Sequence, residues 1–193
     1  VADGGREAPA RLLPDRSALL MVDLQYRLVQ VMHDRKRLKR RASRLIQGAN
    51  ILGIPHLATE QYPRGLGETI EEVARHLQPD CTEEKTRFSA FVQPIRDKLD
   101  TLDVDSVVIA GVEAHICVLR TSLDLIDAGY RVYPVWDAIG SRRSEDKSVA
   151  RERLNQAGAV PTTVESVLFE WLGDANDDRF RRILDLIKGE ASD

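Results

Sequence analysis

The sequence predicts an α/β protein: a three-layer α-β-α, Rossmann-like domain with an open, mainly parallel sheet of about six strands and helices on both faces. Two observations lead there. Short stretches that are apolar at nearly every position, such as Ala18–Val22 and Val107–Val112, alternate along the chain with longer amphipathic stretches. A strand without a polar face must be covered on both sides, which is the condition of a parallel strand between helix layers. No internal repeat is visible, so a solenoid is not indicated.

The elements follow in order. Residues 1–16, VADGGREAPARLLPDR, carry charge and proline without an apolar segment and predict a flexible N-terminal arm; residues 17–190 form a single domain. SALLMVD, Ser17–Asp23, is an apolar strand ending in an acid. A long helix runs from about Asp34 to Leu52, with Gly53 as its stop, and IPHLAT makes a second strand. EQYPRGLG is a loop and ETIEEVARHL a short amphipathic helix. CTEEKTRFSAF shows no clear period, and FVQPIRDKL turns helical after its proline. DSVVIAGV is the most strand-like stretch, followed by one helix, AHICVLRTSLDLIDAG, that ends at Gly129. YRVYPVWDA is a strand, SEDKSVARERLNQAG a helix, and AVPTT a short strand. ESVLFEWL and DDRFRRILDLIKG close the chain as helices.

With 42% apolar and 31% charged residues, the composition is that of a globular domain, and no apolar run is long enough to span a membrane. The net charge of −3 argues against nucleic acid as a partner. Arg35–Arg44 is a local exception, with seven basic residues in ten. It reads as the wet face of a helix whose buried stripe is Leu38, Ala42, Leu45, Ile46 and Ala49, with phosphate binding as the alternative. Cys81 and Cys117 form no CxxC pair or metal pattern, which points to a reducing, cytoplasmic setting.

In open α/β sheets ligands bind beyond the carboxyl ends of the strands, where Asp23, Thr59 and the GVEAHIC turn fall. Asp23 ends an otherwise uncharged strand, so its carboxylate needs a partner or a solvated cleft. Lys85, close to Phe88 and Phe91, would need a carboxylate if buried. Cys117 falls in the first turn of its helix, where the positive end of the dipole lowers a thiol pKa and favours an oxyanion; the alternative is a small core residue. His115 lies two residues away and does not share its face. Asp137 and Ser141 follow a strand end and either form a turn or face the cleft. No GxGxxG occurs, so no dinucleotide site is indicated.

These residues, taken in order, resemble the isochorismatase-like hydrolase superfamily, and within it the isochorismatase domain-containing subgroup. The resemblance runs from Ser17 to Lys188 and rests on VDLQ at Val22–Gln25, TEQYPRGLG, EKTRFSAF around Lys85, GVEAHICV, DAIGSRR at Asp137–Arg143 and TTVESVLFEWL. It implies a catalytic triad of Asp23, Lys85 and Cys117, and a non-proline cis peptide between Val112 and Glu113. It further implies an oxyanion hole from the backbone N–H groups of Glu113 and Cys117, and homo-oligomers. Nicotinamidases of this superfamily carry an Asp–x–His–x–His metal site after the second strand. Here that place reads ATEQYPRG, so no metal and no cofactor are expected. Leu28 replaces the phenylalanine usual in the D-x-Q-x-x-F run and, with Gln25 and Tyr62, is expected to line a small-molecule pocket; Phe88 and Trp136 are further candidates. The expected reaction is hydrolysis of an amide, imide or ureide C–N bond through a thioester. Vinyl-ether hydrolysis and a non-catalytic oligomeric scaffold remain the alternatives.

Overall fold

The sheet is built on β1 (Ser17–Val22) and β4 (Ser106–Val112), both buried at every residue. Along β1, Leu19 and Met21 face one core and Ala18, Leu20 and Val22 the other; along β4, Val108, Ala110 and Val112 oppose Val107 and Ile109 in the same way. The uninterrupted apolar runs are therefore the two-sided burial that the period of two requires. The computed structural model describes residues 11–189. The first ten residues of the expected arm lie outside the described residues, and the rest of it is packed: Leu12 is buried, and a short 3-10 turn at Pro14–Arg16 leads into β1.

Five strands, all parallel, lie in the order β3-β2-β1-β4-β5, with β2 at His56–Gln61, β3 at Thr82–Lys85 and β5 at Arg131–Gly140. Among the described residues the count is five rather than about six. AVPTT contributes only one bridge, Thr162 to Val135, because Pro134 of β5 has no N–H to give the Val160 carbonyl and extend the ladder. CTEEK, in contrast, is the edge strand β3. Only Lys85 of its four residues is buried, so the sequence shows no apolar period there.

Helices α1 (Tyr26–Gln30), α2 (Arg35–Leu52), α3 (Pro63–Leu66) and α4 (Glu71–Ala74) follow β1 and β2. The long helix matches its expected span and stops at Gly53, whose φ of 74° suits a residue without Cβ. Its apolar stripe, Leu38, Ala42, Leu45, Ile46 and Ala49, is buried as expected. ETIEEVARHL shortens to the single turn of α4. Helices α5 (Gln93–Leu102), α6 (Leu119–Asp127) and α7 (Ser144–Gln156) are interspersed with β4 and β5, and α8 (Val164–Leu172) and α9 (Phe180–Lys188) close the fold. The helix expected from residue 114 onward is two pieces: a π-helical turn, Ala114–Val118, precedes α6. Among the described residues no helix is long and apolar enough to cross a membrane.

From β1 the chain winds outward through β2 to β3, then returns to place β4 on the other side of β1. The sheet thus reverses direction between β1 and β4, and the crevice beyond their carboxyl ends is where this architecture holds ligands. At that point the two backbones approach closely. Val22 pairs with Gly111, whose φ is 133°, and a Cβ on Gly111 would collide with the Val22 carbonyl oxygen. Gly111→Ala is therefore expected to destabilise the domain by about 3 kcal/mol, read as a lowered urea midpoint with an unchanged slope.

Candidate active site

Three strand ends converge on this crevice. Asp23 leaves β1 with φ at 50°, its backbone N–H donating to the Thr59 carbonyl of β2 at 3.0 Å, so its carboxylate is turned into the protein at 0% exposure. Thr59 Oγ1 donates to Asp23 Oδ1 at 2.8 Å. Lys85, the last residue of β3, brings its Nζ to 2.7 Å from Asp23 Oδ2. The remaining capacity of the ammonium goes to Gln61 Oε1 at 2.7 Å and to the carbonyls of Arg87 and Phe88 at 3.1 and 3.3 Å. Both charged side chains are wholly buried, so the pair survives only because its hydrogen bonds are satisfied. Burial pushes the Asp23 carboxyl above its ordinary range, against the opposing pull of Lys85 and Thr59.

Cys117 lies in the π-helical turn after β4 and is 6% exposed. The Val112–Glu113 peptide that leads into the turn is cis. The Glu113 carbonyl accepts from the N–H groups of Ile116 at 3.0 Å and Val118 at 3.2 Å. The turn is pinned from outside as well: buried Thr121 donates to the Cys117 carbonyl at 2.6 Å and accepts from the N–H of Ala90 at 2.7 Å. The nucleophile candidate is thereby tied to the segment that follows Lys85. Glu113 Oε2 accepts from the Arg142 side chain at 2.9 Å and its backbone N–H at 3.2 Å. His115 turns away to Ser141 Oγ, 3.1 Å from Nδ1, and does not serve Cys117 as a base.

The thiol does not behave as its place near a helix start suggested. Burial, then the neighbouring Asp23 carboxylate, push its pKa up to about 12, and Lys85 offsets only part of this. A dipole at a helix terminus acts weakly against the loss of water and a facing carboxylate. The resting group is a neutral thiol beside a carboxylate. Cys81, also buried, is raised by the same loss of water but has no such neighbour.

The other expected pocket residues are dispersed. Gln25 is fully buried, and its amide is taken up by backbone: Nε2 donates to the carbonyls of Gly67 and Gln61 at 2.6 and 3.0 Å, and Oε1 accepts from the Gln61 N–H at 2.7 Å. Leu28 packs partly buried against the core on the α2 side of the sheet. Tyr62 is 56% exposed and, with Tyr26 at 60% and Phe88 at 62%, follows the carboxyl end of a strand, so three solvent-exposed aromatic rings stand in the segments beyond β1, β2 and β3. Trp136, Asp137 and Ser141 line a different cavity, at the outer edge of β5. Gln61 and Thr121 were not marked by the sequence. Gln61 is the β2 partner of Lys85 in a strand pair that the sequence did not reveal, and Thr121 sits in a helix pattern where a buried hydroxyl has no local signature. Among the described residues no three His, Cys, Asp or Glu side chains gather in a metal-ligating group.

A parallel sheet with its crevice between β1 and β4, and a buried acid, lysine and thiol beyond its strand ends, define a three-layer α/β domain with a candidate active site at its switch point. The model of the isochorismatase domain matches residues 17–166, and the chain belongs to the isochorismatase family, a family of hydrolases. It is 40% identical to isochorismatase domain-containing protein 2 of Bos taurus over 190 residues, covering 97% of this chain and 91% of the relative. It is 36% identical to the secreted isochorismatase effector Isc1 of Phytophthora sojae, covering 92% and 87%. Among solved structures, the MAR1 ribonuclease of Caenorhabditis elegans superposes with a TM-score of 0.90 at 37% identity over 95% of each chain.

Proposed function

We propose that this chain is a metal-independent cysteine hydrolase that cleaves the C–N bond of a small amide, imide or ureide through a thioester on Cys117. The observation that carries the reading is a fully buried Asp23 carboxylate, held by Lys85 at 2.7 Å and Thr59 at 2.8 Å, beside the buried Cys117 thiol. A neutral thiol facing a carboxylate of raised pKa is a nucleophile and general-base pair whose proton moves as the bond forms.

In the first step Cys117 Sγ bonds to the carbonyl carbon while its proton passes to Asp23. The backbone N–H groups of Glu113 and Cys117 receive the oxyanion, each such donor contributing typically about 3 kcal/mol to the transition state. The tetrahedral adduct collapses as the C–N bond breaks, and Asp23 returns the proton to the departing nitrogen. Water then adds to the thioester with Asp23 again as base; the C–S bond breaks, the acid leaves, and the thiol regains its proton. Lys85 keeps Asp23 oriented and offsets the buried negative charge throughout. The exposed rings of Tyr26, Tyr62 and Phe88 suit a substrate with a flat apolar part.

The test is a panel of small amides, imides and ureides, followed by amine or ammonia release and by intact mass. The parent should release amine and carry an acyl adduct on Cys117 that hydroxylamine removes. Cys117→Ser should form no thioester and stay at background. Turnover by Cys117→Ser equal to the parent would overturn the reading.

A further inference from the structure

A second cavity of about 670 Å³ opens at the outer edge of β5, away from Cys117, walled by α2, α7 and the segment leading into α8. Its volume lies in the range of small-molecule sites. Its lining is cationic on balance: Arg37, Arg143, Lys147 and Arg151, with His33 beside them, stand against Asp34, Asp137 and Glu170. Among the described residues none of these four permanent cations has a carboxylate within ion-pair distance or a side-chain hydrogen bond; Arg151 lies over the Trp136 ring, 5.9 Å from its centroid. Two of the three acids at the wall have partners. Asp137 accepts from the Val164 N–H at 2.9 Å and faces Arg41 at 3.5 Å, and Glu170 accepts from the Leu12 N–H at 3.3 Å; Asp34 stands at the start of α2.

Positive charge crowded with only part of its counter-charge costs free energy, and here the effect falls on Lys147. Loss of water together with Arg37 and Arg151 pulls its ammonium below the ordinary lysine range, Asp137 and Asp34 offsetting only part. Two more donors in residues of the wall, Trp136 Nε1 and Thr162 Oγ1, are buried with no hydrogen-bond partner among the described residues. The amino termini of α2, α7 and α8 also meet here, adding their partial positive charge.

We propose that this cavity binds a polyphosphorylated small molecule of about mononucleotide size, with Arg37, Lys147 and Arg151 as its principal phosphate partners. Arginine forks and a lysine point charge are the chemistry that holds adjacent phosphate groups, and a ligand of that kind supplies the missing counter-charge. The site is separate from the Cys117 crevice and does not rest on the proposed hydrolysis.

Inorganic pyrophosphate is the probe, titrated calorimetrically into the full chain at two salt concentrations. Saturable one-to-one binding that weakens with salt is expected, with a loss of about tenfold in affinity in each of Arg37→Gln, Lys147→Gln and Arg151→Gln. Arg37 and Arg151 are exposed, so their variants keep the proposal testable if Lys147→Gln folds poorly. Alkylation of Cys117 should be unchanged by pyrophosphate. Absence of saturable binding in the parent, or equal affinity in Arg37→Gln and Arg151→Gln, would overturn the proposal. So would binding of a single-stranded RNA oligomer without pyrophosphate binding. Sedimentation showing that the variants dissociate an oligomer on which pyrophosphate has no effect would instead assign the face to contact between copies.

Discussion

Asp23→Asn is expected to lower hydrolytic turnover by about 10²–10⁴-fold and, in the same protein, to make Cys117 easier to alkylate. The two effects have opposite signs because Asp23 plays two electrostatic parts. As a base it takes the thiol proton during attack, which an amide does not do. As a fixed negative charge it opposes the resting thiolate and is the largest contributor after burial to a thiol pKa of about 12. At the ordinary thiol pKa near 8.5, where a free thiol is half ionised, Cys117 of the parent is held almost wholly as the neutral thiol. Iodoacetamide labelling of the parent should therefore rise with pH without a plateau through the ordinary thiol range. Removing the carboxylate charge moves the curve to lower pH. Lys85→Ala moves it to higher pH, since Lys85 is the group that pulls the thiol down. A plateau below pH 8 in the parent would mean a resting thiolate paired with Lys85, and Asp23 would then not be the base. The raised thiol also bears on stability: its contribution is complete below the unfolded thiol pKa and is lost as pH climbs toward the folded value.

Lys85→Ala is expected to be the most damaging single change to the fold, costing about 3–5 kcal/mol and roughly 6 to 20 °C in Tm. The reason is what remains rather than what is removed. Asp23 at 0% exposure would be left with Thr59 alone, and Gln61 and the carbonyls of Arg87 and Phe88 would lose their donor. An unpaired buried carboxylate takes up a proton, so its folded pKa rises further above the unfolded value near 3.9. The deficit is thus largest at neutral pH and shrinks as pH falls toward the unfolded carboxyl range. Adding Asp23→Asn to Lys85→Ala removes the stranded charge and should return much of the lost stability. If the double variant is no more stable than Lys85→Ala at neutral pH, the loss comes from packing of the lysine stem instead.

Much of the fold was legible locally. Uninterrupted apolar stretches marked β1 and β4, Gly53 ended α2 where its positive φ is needed, and the alternation of strand and helix made the sheet parallel. Because strand ends fall where apolar runs stop, Asp23 and the GVEAHIC turn were already placed on the carboxyl side. Motif resemblance named Lys85, although nothing in CTEEK marks a strand. As an edge strand its backbone is held by β2 while most of its side chains face water, so no pattern is needed and none is written.

By itself, then, the sequence determined the layers, the parallel winding and the strand ends at which chemistry gathers, since these follow from which short runs must be buried. Only the tertiary structure decided that β3 brings Lys85 under Asp23 with Gln61 beside it, that Thr121 pins the Cys117 turn, and that the thiol rests protonated. It alone gathered Arg37, Lys147 and Arg151 around one cavity from helices distant along the chain. Those outcomes are sums of desolvation and charge over residues remote in sequence, and such sums are set by distance and burial, which no local pattern carries.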